Sequence, residues 1–448
     1  MKQQLFTILL ASCFTLSCLV ACGDSKDEPD PPAPPQVEEV ENNYVIYEVN
    51  PGLFGDNGAF NNIANRLDEI QAMGVNVLWL MPVYEQGVRN AIGSPYCVKD
   101  YKQTNAAYGT VDDLKSLVNK AHIKGMKVIL DWVANHTSWD HAWIANKAWY
   151  TQDAAGNIIS PQGMGWSDVA DLNYANDEMR QAMLDAMTYW VTEADIDGYR
   201  CDHAEGVPGD FWKEAINALK ALKGDDLLML AESGNSSFFA DGFDLVYSWD
   251  FAYKLQDLFN GKSTLSSLHN LHLQEYEGVP KGKNRMRYIT NHDMAFEKSP
   301  IQVYGSEEAA LAAFVIAATW GGTPMIYSSQ EVGYDQPLSF FNRQSLDWNS
   351  NAAYTMKYQK LMEVYVASDA LRKGELTTYN TDKVATFSRK SLQQRLLVMV
   401  NTSGAAQQVK VPIEFALEEV RSLIDKSTMT LPVAITLDPY QYHIWTID

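Results

Sequence analysis

Arg200 and Asp202 stand two positions apart in the run DGYRCD, which spans residues 197–202. If this run forms a strand, both side chains lie on one face, because side chains alternate along a strand. We expect Arg200 to keep Asp202 ionised and fixed in orientation, since a neighbouring cation favours the charged carboxyl group. Such a carboxylate can act as a nucleophile. An ordinary ion pair at a strand end would use the same residues, and other polar groups decide between these interpretations.

More polar side chains follow other apolar runs of the chain. Those that could act on a substrate are Asp131, Asn135 and His136 after the run at 127–130, Glu232 at the end of 226–232, and His292 and Asp293 after 285–291. In a barrel of parallel strands, the C-terminal strand ends meet at one mouth. We therefore expect the carboxyl groups of Asp202, Glu232 and Asp293 to converge, and crowding then raises the pKa of one of them.

An ionised and a protonated carboxyl group together can cleave a glycosidic bond. The ionised group attacks the sugar carbon, and the protonated group donates to the leaving oxygen. A retaining reaction needs the two groups about 5–5.5 Å apart. Adjacent barrel strands can supply that separation, and Asp202 and Glu232 end adjacent strands in the predicted order.

Short apolar runs alternate with amphipathic helices from residue 44 onward. The eight predicted strands are 44–49, 75–80, 127–131, 197–202, 226–232, 243–249, 285–291 and 324–327. This alternation predicts an α/β fold, a (β/α)8 TIM barrel over residues 43–371 with a short insertion at 135–176 after the third strand. No GxGxxG or P-loop motif follows the first strand, so we expect no organic cofactor.

The pattern changes after Gly374. Alternating runs at 384–388, 396–400, 408–411 and 442–446 predict a C-terminal antiparallel β-sandwich domain at 372–448. Stability is the default role of this domain, and sugar binding is the alternative.

The first 21 residues have the pattern of a secretory signal peptide, with Lys2 ahead of an apolar stretch at 5–20. Residues 19–22 read LVAC and resemble a bacterial lipobox, which predicts lipidation of Cys22. Residues 22–42 are expected to form a flexible linker behind the anchor. The acidic start of this linker resembles surface-export signals of Gram-negative lipoproteins. We therefore expect an outer-membrane lipoprotein exposed at the cell surface; a soluble secreted protein is the alternative.

The formal net charge of −21 disfavours binding to nucleic acid or to an anionic membrane face, and suits a neutral ligand. Apolar residues make up 46% of the chain, which indicates a globular protein. Beyond the signal peptide and Cys22, the cysteines are Cys97 and Cys201; we expect both to be unpaired, and a single bridge between them is the alternative. We also expect a monomer.

Six segments together resemble the α-amylase family of glycoside hydrolases (family 13). They are DWVANH at 131–136, ADLN at 170–173, GYRCD at 198–202, LAES at 230–233, ITNHD at 289–293 and GTPMIY at 322–327. The resemblance covers residues 44–348, and the six segments occur in the family's order.

The resemblance implies a role for each matching residue. Asp202 would be the nucleophile, Glu232 the general acid/base, and Asp293 the group that stabilises the distorted sugar in the transition state. The substrate-binding residues would be Arg200, which positions Asp202, His136 and His292, which bind sugar hydroxyls, and Tyr96, an aromatic platform under the sugar. For Tyr96, a packed loop aromatic is the alternative.

The chain departs from the family at two positions. Many members carry Lys-His three and four residues after the nucleophile, where this chain has Glu205 and Gly206. The family pair contacts the leaving-side sugar, and the His carbonyl helps to bind calcium. Asn135 and Asp171 match calcium ligands of the family, and oxygen ligands suit Ca²⁺. Two interpretations stay open: a bound calcium ion, or ordinary hydrogen bonding in these loops.

The sequence therefore favours a retaining, endo-acting α-glucan hydrolase that cleaves α-1,4 bonds of starch-like polysaccharides or maltooligosaccharides. One alternative is an α-glucan transglycosylase, or a hydrolase of α-1,6-linked or short oligosaccharides. Another is a non-catalytic glycan-binding lipoprotein, which the complete carboxyl trio disfavours.

Overall fold

A computed structural model of the chain describes residues 43–379 and 381–447. The predicted signal peptide at 1–21, the lipidated Cys22 and the linker up to residue 42 lie outside the described residues. Among the described residues, no helix is both long and apolar enough to span a bilayer.

The centre of the fold is a closed barrel of eight parallel strands. Each strand pairs with the next in chain order, and the first closes against the eighth. The strands are Ile46–Val49, Val77–Leu80, Lys127–Trp132, Gly198–Cys201, Leu228–Ala231, Leu245–Val246, Asn284–Arg287 and Thr323–Tyr327. The predicted (β/α)8 barrel is confirmed.

Helices surround the barrel and bury its outer face. The α-helices are Ala59–Asn65, Leu67–Gln71, Val111–Ile123, Asp177–Glu193, Gly209–Lys223, Trp249–Phe259, Leu265–Tyr276, His292–Glu297, Pro300–Tyr304, Glu307–Thr319, Ala352–Ala367 and Asp369–Lys373. Short 3-10 helices occur at Pro51–Leu53, Ala142–Ala145, Lys147–Trp149, Ala204–Gly206, Ser236–Phe239 and Gln330–Val332.

Local chemistry fixes several of these elements. Thr110 and Asp113 form a capping box at the start of Val111–Ile123, with the side chain of each accepting the backbone N–H of the other. Gly198, which opens the fourth strand, has φ +147°, and a Cβ there would lie 1.8 Å from the carbonyl oxygen of Leu228. Only glycine allows the fourth and fifth strands to approach this closely.

Most predicted barrel strands are shorter in the structure, and the sixth strand and the last barrel helix show how the structure interrupts the sequence pattern. The sixth strand was predicted over 243–249 but comprises Leu245–Val246, because the next helix already begins at Trp249. The last barrel helix was predicted over 352–371 but breaks at Ser368, which caps the separate helix Asp369–Lys373.

The segment after the third strand is held by its own ladder. His136–Ser138 pairs antiparallel with Val169–Asp171, inside the predicted insertion at 135–176. A second ladder, Tyr84–Gln86 with Val98–Thr104, supports the loop after the second strand. These ladders give the otherwise irregular loops over the barrel mouth a fixed geometry.

The chain beyond the barrel forms two antiparallel sheets. Six strands are ordered Glu375–Tyr379, Val384–Lys390, Arg395–Asn401, Tyr442–Ile447, Glu419–Ser422 and Thr428–Thr430. Gln407–Lys410 pairs with Ala434–Leu437 in a second sheet. Apolar side chains of both sheets share one core, including Leu397, Val409 and Trp445, which confirms the predicted β-sandwich.

Cys97 and Cys201 are both buried and unpaired. The absence of a disulfide between them agrees with the prediction.

Candidate active site

Arg200 is fully buried and contacts three carboxyl groups. Its Nη1 donates to Asp131 Oδ1 at 2.7 Å and to Asp202 Oδ1 at 3.1 Å. Its Nη2 lies 2.6 Å from Glu232 Oε1. A single guanidinium therefore brings together carboxyl groups from the third, fourth and fifth strands, and places Asp202 beside Glu232.

Aromatic side chains fix the position of this guanidinium. Its Nε donates to Tyr247 Oη at 3.1 Å, and its Cζ lies 5.1 Å from the ring centroid of Trp79. Trp79 in turn donates its Nε1 proton to Asp131 Oδ2 at 3.1 Å. Arg200 acts on the carboxyl groups and does not line the cleft, so it is a positioning residue.

Asp202 and Glu232 share one electrostatic environment. Burial, followed by the charge of Glu232, raises the pKa of Asp202 well above its ordinary value, although Arg200 opposes this rise. Burial also raises the pKa of Glu232, against the opposing charge of Arg200. Arg200 therefore limits but does not cancel the rise in the pKa of Asp202, because desolvation outweighs one shared cation. Two buried carboxyl groups that contact one guanidinium titrate as a coupled pair.

Tyr96 and His292 form an aromatic surface in the same cleft. Their ring centroids are 5.5 Å apart with 25° between the planes, and Tyr96 Oη lies 2.9 Å from His292 Nε2. Tyr96 also donates to Asp131 Oδ2 at 3.1 Å. These stacking and polar contacts place Tyr96 inside the site, where an aromatic platform under the sugar has to lie.

His292 carries a positive charge at neutral pH. Its Nδ1 lies 2.5 Å from Oε1 of Glu48, a buried residue of the first strand. Burial alone would lower the pKa of His292, but the carboxylates of Asp293 and Glu48 raise it to about 9. His292 Nε2 lies 3.4 Å from Asp293 Oδ1, and the Asp293 side chain is half exposed. The third predicted carboxyl group is thus available to a ligand.

His136 lies beside Trp166 and His203. The ring centroid of Trp166 is 5.5 Å from that of His136 and 5.2 Å from that of His203. Burial, then the charge of His203, lowers the pKa of His136 to about 3. The ring is therefore neutral and can accept one hydrogen bond and donate another. The backbone N–H of His203 donates to Glu232 Oε2 at 2.6 Å.

All three acids open into one cleft of about 420 Å³, together with Tyr96, His136 and His292. Further side chains in its wall are Glu205, Trp166, Trp249, Phe340 and Phe341. Sequence reasoning missed the aromatic members of the wall, although the Trp-rich insertion was a signal for Trp166. It also missed Glu48, whose position at the end of the first strand was the available signal.

Glu205 lies beside the predicted acid. Its Oε1 accepts a hydrogen bond from Ser233 Oγ at 2.5 Å, and Ser233 directly follows Glu232. The position at which the family often has lysine therefore carries a carboxyl group in the same cleft as Glu232.

Asn135, Asp171 and Gly206 lie near one another at the edge of the insertion. Asp171 pairs with His136 across the ladder, and a Cβ on Gly206 would lie 2.4 Å from Asn135 Oδ1. The amide and carboxylate oxygens match the ligand chemistry of Ca²⁺. Within 43–379 and 381–447, no three His, Cys, Asp or Glu side chains cluster as a metal site, so an ion here would depend on amide and backbone oxygens.

Comparison with known proteins agrees with this geometry. The family model described as "Alpha amylase, catalytic domain" matches residues 34–160 and 162–411. Among curated relatives, Alpha-amylase 3 of Dictyoglomus thermophilum is 26% identical over 434 residues, which cover 87% of this chain and 84% of that protein. A cyclomaltodextrinase of Geobacillus thermopakistaniensis is 23% identical over 87% of this chain and 70% of that protein.

Solved structures share the whole architecture. An α-amylase from Lactobacillus plantarum superposes with a TM-score of 0.81 at 28% identity, covering 90% of this chain and 98% of that one. A noncanonic maltogenic α-amylase, AmyB, from Thermotoga neapolitana gives a TM-score of 0.80 at 26% identity, with the same coverage of both chains. Because the family model matches most of this chain, the chain belongs to the α-amylase family of glycoside hydrolases, family 13.

Proposed function

We propose that this glycoside hydrolase is a retaining, endo-acting enzyme that cleaves α-1,4-glucosidic bonds in starch-like polysaccharides and maltooligosaccharides. The observation that carries the proposal is the shared contact of Arg200 with Asp202 and Glu232, with Asp293 in the same cleft. Relatives named α-amylase support the substrate class.

In the proposed reaction, Asp202 attacks the anomeric carbon of the bound sugar while Glu232 gives its proton to the leaving oxygen. The bond between that carbon and the glycosidic oxygen breaks, and a glycosyl ester forms on Asp202. Glu232, now ionised, takes a proton from water, which attacks the same carbon and releases Asp202. Two displacements at one carbon retain its configuration.

The surrounding residues prepare this chemistry. Glu232 must carry a proton when the bond breaks, and Arg200 stabilises the ionised Asp202 at that point. Asp293 and the cationic His292 would bind hydroxyls of the same sugar, with Tyr96 against its face. Neutral His136 would both accept and donate a hydrogen bond.

The test is the release of new reducing ends from amylose. We expect release by the wild type and a loss of at least about 1,000-fold in Asp202→Asn, since the nucleophile is removed. Glu178→Gln, an exposed change on the helix Asp177–Glu193, is the control and should retain full activity. Equal release by wild type and Asp202→Asn would refute the proposal.

A second candidate is a hydrolase or transglycosylase of short, cyclic or α-1,6-linked α-glucans. Relatives named cyclomaltodextrinase and a solved maltogenic α-amylase favour it, and the cleft of about 420 Å³ is within the size range of small-ligand pockets. Products from amylose, pullulan, cyclodextrin and maltooligosaccharides separate the two candidates: mid-chain cuts in amylose indicate the first, and preference for short or cyclic glucans indicates the second.

We also propose that Asn135, Asp171 and the carbonyl of Gly206 hold a calcium ion. Bound there, the ion would supply positive charge that braces the ladder carrying His136, and it would take no part in the bond-breaking steps.

The proposed location is the cell envelope, with a lipid anchor on Cys22 and the enzyme at the outer-membrane surface. Support comes from the lipobox and from the proline-rich linker behind it. Cys22→Ser should move the protein from the membrane fraction to the soluble fraction without changing its activity on amylose. Retention of this variant in the membrane fraction would argue against the anchor.

A further inference from the structure

We propose that Phe340, Phe341 and Phe296, called here the phenylalanine wall, bind the glucosyl units on the non-leaving side of the cleaved bond. The wall would thereby select substrates by the length of that side. This inference rests on the proposed function and identifies which part of the substrate the wall binds.

The phenylalanine wall continues the aromatic surface of the active site. The ring centroid of Phe340 lies 5.9 Å from that of Tyr96 and 5.4 Å from that of His292. Phe341 lies 4.6 Å from Phe340, and Phe296 contacts both, at 5.7 and 5.5 Å. A chain of ring contacts therefore leads outward from the sugar platform.

The order of the strands around the barrel indicates which half of the substrate contacts the phenylalanine wall. Glu232 follows the fifth strand and must face the glycosidic oxygen, so the leaving part extends over that side of the mouth. Phe340 and Phe341 follow the eighth strand, while Ile92 and Tyr96 follow the second. In an eight-stranded ring, the first strand lies opposite the fifth, so the phenylalanine wall lies on the side away from the acid.

The wall is apolar, partly exposed and firmly held. Phe296 is 42% exposed, and the neighbouring Ile92 is 61% exposed. The N–H of Leu338 donates to the carbonyl oxygen of Ala295 at 2.8 Å, which joins the loop to the helix His292–Glu297. Gly93 has φ +89°, and a Cβ there would lie 2.9 Å from the Phe341 carbonyl oxygen, so the two loops touch backbone to backbone.

A pyranose ring suits such a surface. Its C–H groups form an apolar face that packs against the negative face of an aromatic ring, while its hydroxyls stay in water. Continuity with the cleft favours sugar over an unrelated partner, because any occupant of the wall also meets Tyr96 and His292.

Glycosyl fluorides test the non-leaving side alone, since fluoride leaves without a sugar. We expect Phe341→Ala to lower kcat/KM for α-maltotriosyl fluoride about tenfold, because roughly one stacking contact and its buried area are lost. The kcat/KM for α-glucosyl fluoride should not change. Phe341→Tyr keeps the ring and should behave like wild type. Leu273→Ala, at an exposed apolar residue on the helix Leu265–Tyr276, should change neither substrate.

Unchanged α-glucosyl fluoride turnover also shows that Phe341→Ala folds and retains its catalytic groups. Equal losses on both fluorides, or a loss on neither, would overturn the role of the wall while leaving the proposed function intact. A wild type inactive on both fluorides and on amylose would refute the proposed function, and this inference with it.

Discussion

Two buried cations organise five carboxyl groups around the cleft. Arg200 contacts Asp131, Asp202 and Glu232, and His292 contacts Glu48 and Asp293. Arg200 thus joins the supporting residue Asp131 to two acids that line the cleft, and His292 joins the supporting residue Glu48 to a third. Substitutions of the supporting carboxyl groups should therefore change the chemistry without touching the substrate.

Glu48→Gln tests whether the supporting carboxyl group of Glu48 controls the ionisation of His292. The carboxylates of Asp293 and Glu48 raise the pKa of His292 from 6.5 to about 9 against the effect of burial, so removing one of them lowers it. We expect His292 to lose its proton at lower pH, and the alkaline limb of kcat/KM to move to lower pH. The stabilisation that the raised pKa of His292 contributes is fully present below pH 6.5 and is lost as pH rises through about 9.

The measurement is a pH–rate profile on one maltooligosaccharide, with urea unfolding at neutral and alkaline pH. Glu331→Gln is the control, because Glu331 is a buried carboxyl group that accepts from Tyr47 and has no contact with His292. An unmoved alkaline limb in Glu48→Gln would show that His292 does not set it.

Glu205→Ala tests the leaving side of the cleft. Glu205 is held by Ser233 next to the acid, where a carboxylate can accept hydrogen bonds from hydroxyls of the departing sugar. We expect kcat/KM for maltooligosaccharides to fall roughly 10-fold, the value of about one charged hydrogen bond. Turnover of α-maltotriosyl fluoride, which has no departing sugar, should not change. Equal losses on both substrates would indicate a structural role for Glu205.

At the scale of elements, two junctions hold the framework of the site. One joins the barrel to the C-terminal sheet through Arg389, a buried residue of the strand Val384–Lys390. Its guanidinium donates to the carbonyl oxygens of Trp320, Ala370 and Leu371 at 3.0–3.2 Å. These carbonyls lie at the end of one helix and within the short helix Asp369–Lys373, where a cation is favoured.

Arg389→Met should destabilise the whole protein. Burial lowers the pKa of Arg389 to about 10, so it is still a cation at neutral pH, and its removal leaves three carbonyls without this donor. We expect the free energy of unfolding to fall by roughly 2–4 kcal/mol, measured by urea denaturation. Lys390→Met, at the exposed neighbouring position, should stay close to wild type; equal effects would assign the loss to the added apolar side chain.

The second junction is the ladder His136–Ser138 with Val169–Asp171, where calcium is proposed. Removing calcium with a chelator should lower the melting temperature by a few degrees, and adding Ca²⁺ should restore it, since a ligand that binds only the folded state stabilises it. Asp171→Asn should reduce or abolish this calcium response. A wild-type melting temperature that is the same with chelator and with Ca²⁺ would contradict the proposed ion.

Across the whole molecule, the sequence predicts those structural elements that are determined by residues close together in the chain. Continuous apolar runs predict the barrel strands, and the change to alternating runs after Gly374 predicts the C-terminal domain. The sixth strand ends early because Trp249 already begins a helix, which a propensity pattern does not show.

Contacts between distant segments are what the sequence does not reveal. Glu48 and His292 are 244 positions apart, and the phenylalanine wall depends on a loop whose path is set by its contacts with Ala295 and Gly93. The raised pKa values of Asp202 and Glu232 likewise follow from burial, a quantity that only the fold supplies.

The surplus of acid groups over cations has a consequence for inhibition. Five carboxyl groups contact two cations, Arg200 and His292, so acid groups outnumber cations at the site. A sugar-shaped amine, protonated at neutral pH, would supply the missing counter-charge and imitate the positive charge that builds on the sugar ring as its bond breaks. Basic iminosugars should accordingly bind far more tightly than neutral sugars of the same shape.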